Sequence, residues 1–324
     1  MLTFSLGSKP FGEGGFCEPY PSNNPEVTLS SDAIILILFS AVIHVGWNTL
    51  LKSSSEPRTF SLLKGSVLVL IALIAAPWIP FKQIPDSLWI FCLISGIVHT
   101  VYIIALSSAY TTGDISFVYP IVRSSPALVP VAAYFLIGER LSAQGIAGII
   151  VVVGCILLLQ KRPPGTQESN TKDRLLQKDL LWALLTLATV VSYTIVDKAG
   201  MVVFRDAEEI PSIWRGPIYF MLENAICYAF FWLYTAVRGF PEVGILIRTE
   251  GKQVVAAAIG TILSYSLILH VLQTEAASYV VTLRQSSVLM AVLAGIFYFK
   301  ERQAAYRIAI AVVMLIGFYL VSTA

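Results

Sequence analysis

The chain has 324 residues, a formal net charge of +2, 56% hydrophobic residues and only 13% charged ones. A soluble domain carries charge on about a quarter of its residues, so that class is excluded. The bases are spread over loops, with no basic block interleaved with aromatics, which excludes nucleic-acid binding as well.

The composition fits an all-α integral membrane protein, because a bilayer core of about 30 Å is crossed by about 20 apolar residues in a helix. Residues 1–31 are rich in Pro, Gly, Ser and acids, with Lys9 as the one base, and have the composition of a disordered tail. Ten apolar stretches follow, at roughly 32–51, 60–80, 87–109, 115–137, 143–160, 178–198, 213–236, 253–273, 276–299 and 304–323. No small-residue cleavage site follows the first stretch, so it reads as a transmembrane helix and not as a secretory signal. Cys92, Cys155 and Cys227 lie in apolar spans and Cys17 in the tail, with neither paired nor ligand spacing.

In the first span, His44 and Asn48 share a helical face and Trp47 is adjacent. An aromatic ring beside amide donors and acceptors suits recognition of a small polar molecule; packing of the Trp, with Asn joining helices, is the competing reading. The third span carries His99. In the fourth, Arg123 lies nine residues beyond Asp114, a rise of ~13 Å that sets it near the midplane. Tyr119, Pro126 and Pro130 fall on its face and Ser124 follows it, while Pro120, Pro126 and Pro130 each remove a backbone donor. Such breaks at depth are tolerated where protein or a watery cavity satisfies the freed carbonyls. This segment is expected to line a polar cavity with Arg123 as its cationic contact; the alternative is a structural pair between Arg123 and Glu223 of the seventh span. Tyr193 stands in the sixth span, and Arg284 and Gln285 in the ninth at a depth like that of Arg123. His44, His99 and Glu223 are candidates for proton coupling. No metal, cofactor or catalytic residue is expected, since Walker A, G-x-S-x-G and H-E-x-x-H motifs are absent.

The chain repeats itself. A shift of 162 superposes residues 112–140 on 274–302 with nine identities, among them Ser124-Ser125 on Ser286-Ser287 and Glu139-Arg140 on Glu301-Arg302. A shift of 146 lays "VGWNTLLK" (45–52) on "VSYTIVDK" (191–198), which matches Trp47 with Tyr193. The expected organisation is a tail (1–31), a five-helix unit (32–160), a polar linker (161–177) and a second unit (178–324). An odd number of helices per unit makes the copies inverted, the architecture of secondary transporters.

These residues carry a resemblance. "GERLSAQGIAGIIVVVGCILL" (138–158) and "QSSVLMAVLAGIFYFKERQAAYRIAIAVVMLIGFYLV" (285–321) resemble the ten-helix EamA-type members of the drug/metabolite transporter superfamily, over residues 32–323. "HVGWNTLLK" (44–52) and "YPIVRSSP" (119–126) are similar to a subgroup with a Trp-Asn pair and a Tyr-Pro-Ile start to the fourth helix. The resemblance implies export or exchange of small metabolites in a multi-pass cell membrane, with the termini in the cytoplasm. Loop charges argue otherwise, since 13 Lys and Arg follow odd-numbered helices against six in the other loops and tails, which favours termini outside.

The expected function is a secondary transporter of a small polar or anionic metabolite, working by alternating access. Its expected partners are the bilayer and a small molecule carrying a carboxylate or a phosphate/phosphonate, because two deep arginines outnumber the one deep carboxylate, Glu223. A homodimer is left open. The alternatives are a flippase for a lipid-linked sugar and, from another class, a membrane enzyme acting on lipids.

Overall fold

The computed structural model describes residues 29–112, 121–159, 175–290 and 304–324. The tail to residue 28, the start of the fourth span with Tyr119 and Pro120, most of the linker, and Glu301 and Arg302 lie outside the described residues.

The described residues form ten α-helices and no strand: α1 (Ser31–Ser53), α2 (Pro57–Ala75), α3 (Leu88–Thr112), α4 (Ser125–Ile137), α5 (Ala143–Leu159), α6 (Leu175–Arg205), α7 (Ser212–Arg238), α8 (Gly244–Leu272), α9 (Ala277–Arg284) and α10 (Ala304–Ser322). Six are long and apolar enough to cross a bilayer, and the described parts of α4, α5 and α10 are shorter apolar helices. Large apolar side chains point outward, Leu73, Phe135 and Val237 among them. In lipid such a surface is the satisfied one, since a helix pairs most of its backbone polar groups internally.

Local chemistry sets the helix ends. The Ser30 hydroxyl accepts the Ala33 N–H at 3.2 Å and caps α1. Pro57 opens α2, where its missing N–H costs nothing. Gly138 closes α4 with φ 68°, a left-handed conformation cheap for glycine, and the next N–H, of Glu139, returns to Ala133 O at 3.1 Å. That turn sends the buried Glu139 carboxylate to the start of α9, where it accepts from Ala277 N (2.7 Å), Ser278 N (3.1 Å) and the Ser278 hydroxyl. The acid of the first unit thus caps a helix of the second, against the positive end of its dipole.

The packing follows the inverted repeat. Exchanging α1–α5 with α6–α10 in order turns the α1·α8 contact into α6·α3, α2·α8 into α7·α3 and α4·α6 into α9·α1, and it maps α2·α7, α4·α9 and α5·α10 onto themselves; all of these contacts are present. At the α5·α10 crossing Gly148 and Gly317 face each other, so that a Cβ on Gly148 would stand 2.8 Å from Gly317 O. Small residues permit this approach, as in other membrane helix pairs.

The extents differ from the sequence expectation at two helices. α6 runs to Arg205 and α8 begins at Gly244, where the apolar stretches end at 198 and begin at 253. Arg205, Arg248, Glu250 and Lys252 lower the local hydropathy without breaking the helix, since straight-chain charged residues are good helix formers.

Candidate functional site

Three helices each bring one i, i+4 pair to a common centre: Ser95 and His99 on α3, Tyr193 and Asp197 on α6, Tyr219 and Glu223 on α7. Asp197 and Glu223 are 0% and 1% exposed. Ser95 Oγ lies between them, 2.5 Å from Asp197 Oδ1 and 2.6 Å from Glu223 Oε2. Asp197 also accepts from the Tyr219 hydroxyl at 3.2 Å and from the Tyr265 hydroxyl of α8. Glu223 Oε1 has the Asn224 amide at 3.4 Å. His99 Nδ1 stands 3.0 Å from the Ser95 carbonyl and 3.8 Å from Glu223 Oε2. Nδ1 is also 3.2 Å from Ser95 Oγ; with the hydrogen placed on Nδ1 it donates to the Ser95 carbonyl, which only accepts. The His99 ring stacks on Tyr193 at 4.2 Å. His99, Asp197 and Glu223 each bring one ligand atom within 4.8 Å of the others, close enough together to hold a cation, and the Ser95 hydroxyl lies between the two carboxyls.

Cations gather on the other side of the tyrosines. Arg284 ends α9, packs over the Tyr265 ring at 5.3 Å and brings Nη2 to 3.4 Å from His44 Nδ1 of α1. Among the described residues no carboxylate reaches within 4.0 Å of it. Arg123 donates to Ser287 Oγ at 3.4 Å. The fields of both arginines reach Tyr102 and Tyr193, and with Lys64 they reach His44. Lys64, buried in α2, sits over the Trp47 ring at 4.3 Å.

Both arginines adjoin a break in their helix. The chain is helical at 121–122, turns at Arg123 and Ser124, and resumes as α4; α9 turns at Gln285 and resumes over 286–290. Ser124 and Gln285 each close an i→i+3 turn, to Ala127 N and to Val288 N, both at 2.8 Å. Residues 123 and 285 correspond under the 162-residue shift, so the interruptions are one feature repeated. Gln285 Oε1 and Ser286 Oγ are buried there without a hydrogen-bond partner.

Several sequence expectations change. Arg123 and Glu223 form no ion pair, because Glu223 is held by Ser95, Asn224 and His99. Glu223 is not the one deep carboxylate: Asp197 is as deep and was missed because the apolar stretch ends beside it, at Lys198. The expectation of an anionic substrate therefore cannot rest on counting charges. Lys64 and Lys198, assigned to loops by composition, are both buried. Lys198 donates to Leu272 O and Glu275 O, both at 2.9 Å, at the C-terminal end of α8. Removing one base from each loop set leaves the charge bias as it was.

The remaining candidates are placed as follows. Trp47 Nε1 donates to Ser264 Oγ at 3.2 Å and its ring meets His44 edge-on at 5.0 Å. The Asn48 amide donates to His44 O at 2.8 Å. Trp47 and His44 stand on the cationic side, Tyr193 and His99 with the carboxyls, and Tyr265 touches both groups. Ser95, Lys64, Tyr219 and Tyr265 were also missed; as single polar residues in apolar spans they give no spacing signal. The surface grooves at Pro241–Arg248 and Ile79–Gln83 lie at helix connections, away from this centre.

Residues 32–160 match the model of the EamA-like transporter family. None of the curated proteins compared with the chain matches it. Among solved structures 28 chains match. In one, a crystal structure of a protein, the superposition covers 90% of this chain and 98% of that one, with a TM-score of 0.65 and 15% identity. At that identity the likeness is one of fold, and it extends over most of the chain.

Proposed function

We propose that this chain, of which residues 32–160 match the EamA-like transporter family, is a multi-pass membrane transporter of the drug/metabolite transporter type that carries a small metabolite bearing a carboxylate or a phosphate/phosphonate. Transport runs by alternating access of the two inverted units, without ATP. The observation that supports this most is Arg284, a half-buried guanidinium at a helix break with no acid within 4.0 Å among the described residues. A guanidinium in a low-dielectric site is stabilised by an anion that accepts paired, charge-assisted hydrogen bonds. Lys64 and Arg123 add positive potential in the same region, beside His44. Trp47, Asn48, Tyr193 and Gln285 supply the surrounding aromatic and amide contacts, and Tyr119 and Ser124 are proposed with them from their sequence spacing to Arg123 alone.

The test is uptake into proteoliposomes of a labelled panel of amino acids, organic acids, phosphonates, phosphate esters and sugars, with polyamines as the cationic comparison. An acid should be moved by the wild type, and Arg284→Gln should cut its initial rate by tenfold or more while the purified protein stays monodisperse. Transport of polyamines alone, or an unchanged rate in Arg284→Gln, refutes the reading. Movement of a lipid-linked sugar between leaflets would favour a flippase.

A further inference from the structure

We infer that Asp197, Ser95 and Glu223 form a binding site for one proton, occupied at neutral pH, through which transport is coupled to a proton gradient. The coupling rests on the transport reading above; the site does not.

Counting hydrogens carries the inference. Ser95 Oγ makes two short contacts, at 2.5 Å to Asp197 Oδ1 and 2.6 Å to Glu223 Oε2, and a longer one of 3.2 Å to His99 Nδ1, which needs no hydrogen from Ser95 when Nδ1 carries its own. A serine hydroxyl has one hydrogen and can donate to only one of them. The other contact would oppose lone pairs at a distance typical of a strong O–H···O bond unless that carboxyl carries the hydrogen. Asp197 is the better anion, since Tyr219 and Tyr265 also donate to it, whereas Glu223 Oε1 has only the Asn224 amide at 3.4 Å. The proton therefore sits on Glu223 Oε2, in the order Glu223 O–H to Ser95 O–H to Asp197 carboxylate.

The surroundings agree. Two bare carboxylates this close, both buried, would repel and lose hydration together. From α3 the pair is faced by Cys92 and by His99, whose Nδ1 hydrogen is directed to Ser95 O; from α6, α7 and α8 it is faced by Tyr193, Tyr219 and Tyr265. The cation whose field reaches His99 and Tyr265 is Arg284, and it forms no ion pair with either carboxyl. The arrangement also passes the proton on. If Glu223 gives its hydrogen to Ser95 Oγ while Ser95 gives its own to Asp197 Oδ1, the proton moves from α7 to α6 with no net change in charge. The ring of Tyr265 lies under Arg284 while its hydroxyl donates to Asp197. An anion arriving at Arg284 is thereby connected to the charge state of the pair.

Infrared spectroscopy of the purified full chain in lipid nanodiscs tests the site without any substrate. The carbonyl stretch of a protonated carboxylic acid should be present at neutral pH, shift in D2O and bleach only at alkaline pH. It should vanish in Glu223→Gln, whose neutral amide mimics the protonated acid and so preserves the fold. In Asp197→Asn it should bleach at lower pH, because a negative neighbour is gone. A wild type without this band at neutral pH, or a band unchanged in both variants, overturns the site. In proteoliposomes, a pH gradient should speed uptake of the transported acid severalfold in the wild type and not in Glu223→Gln; wild-type uptake indifferent to the gradient overturns the coupling. If no acid of the panel is moved, the proposed substrate class fails, and the infrared titration still decides the proton site.

Discussion

Replacing Glu139 should weaken the fold more than any other single acid on the outer turns, and the cost follows from its contacts. The carboxylate accepts Ala277 N–H at 2.7 Å, Ser278 N–H at 3.1 Å and the Ser278 hydroxyl, and it is 4% exposed. Glu139→Ala leaves two buried backbone donors without an acceptor, at about 1–3 kcal/mol each, while the hydroxyl can rotate to another partner. Loss of the favourable charge at the start of α9 adds about 0.3–1 kcal/mol. The total is roughly 2–7 kcal/mol, or about fortyfold or more in the folded population at tenfold per 1.4 kcal/mol. Glu139→Gln keeps one acceptor oxygen but turns an NH2 toward the second donor, so about half of that loss is expected. Thermal unfolding of the detergent-solubilised protein, followed by size-exclusion chromatography, should rank wild type above Gln and Gln above Ala. Glu208→Ala, at an exposed position in the turn after α6, serves as the control and should leave the midpoint unchanged. An alanine variant that melts with the wild type would refute the capping argument.

Gly148→Val should destabilise by about 1–3 kcal/mol or more through overpacking, since its Cβ meets Gly317 O at 2.8 Å, whereas Gly154→Ala, with nothing within 4 Å, should be neutral or stabilising in the same assay. Asn48→Ala should lower the uptake rate while membrane expression stays near normal; a collapse of expression would mean that the Asn48–His44 contact only holds the helix. Arg123→Lys keeps the charge but loses the planar fork and should slow transport substantially, and Arg123→Gln should nearly abolish it. Because Arg123 and Glu223 are not paired, the stability losses of Arg123→Gln and Glu223→Gln should add in the double variant within about 0.5 kcal/mol; a strong coupling would restore the structural-pair reading.

Much of the architecture was legible because the bilayer forces it. Helix count, the repeat and the positions of the deep arginines follow from apolar length and self-similarity, and the helix breaks fall at the serine pairs that the 162-residue shift aligns. What escaped were groups whose partners lie on other helices. Asp197-Lys198 looks like the polar end of a span, yet Asp197 is held by α3, α7 and α8 and Lys198 by the end of α8. Sequence distance carries no trace of a contact between Ser95 and Asp197 or Glu223, separations of 102 and 128 residues. The Arg123–Glu223 pair was proposed from depth alone, and depth does not specify which face of a helix meets which neighbour.

The corner between α8 and α9 is fastened from both sides: Lys198 closes the last carbonyls of α8, Glu139 closes the first amides of α9, and Ser30 reaches Glu275 between them at 3.0 Å. The short rod that leaves this corner is α9, and Arg284 stands seven residues along it, an arm of ~10 Å. Residues 277–283 are all buried, so the arm is held along its length and can tilt only together with the helices packed on it. A swing of about 5° carries the guanidinium by about 1 Å, comparable to the helix displacements that drive larger rearrangements in bistable assemblies. The corner's fasteners come from both halves of the chain, so a displacement of one half against the other would be felt at the root of the arm that carries the arginine.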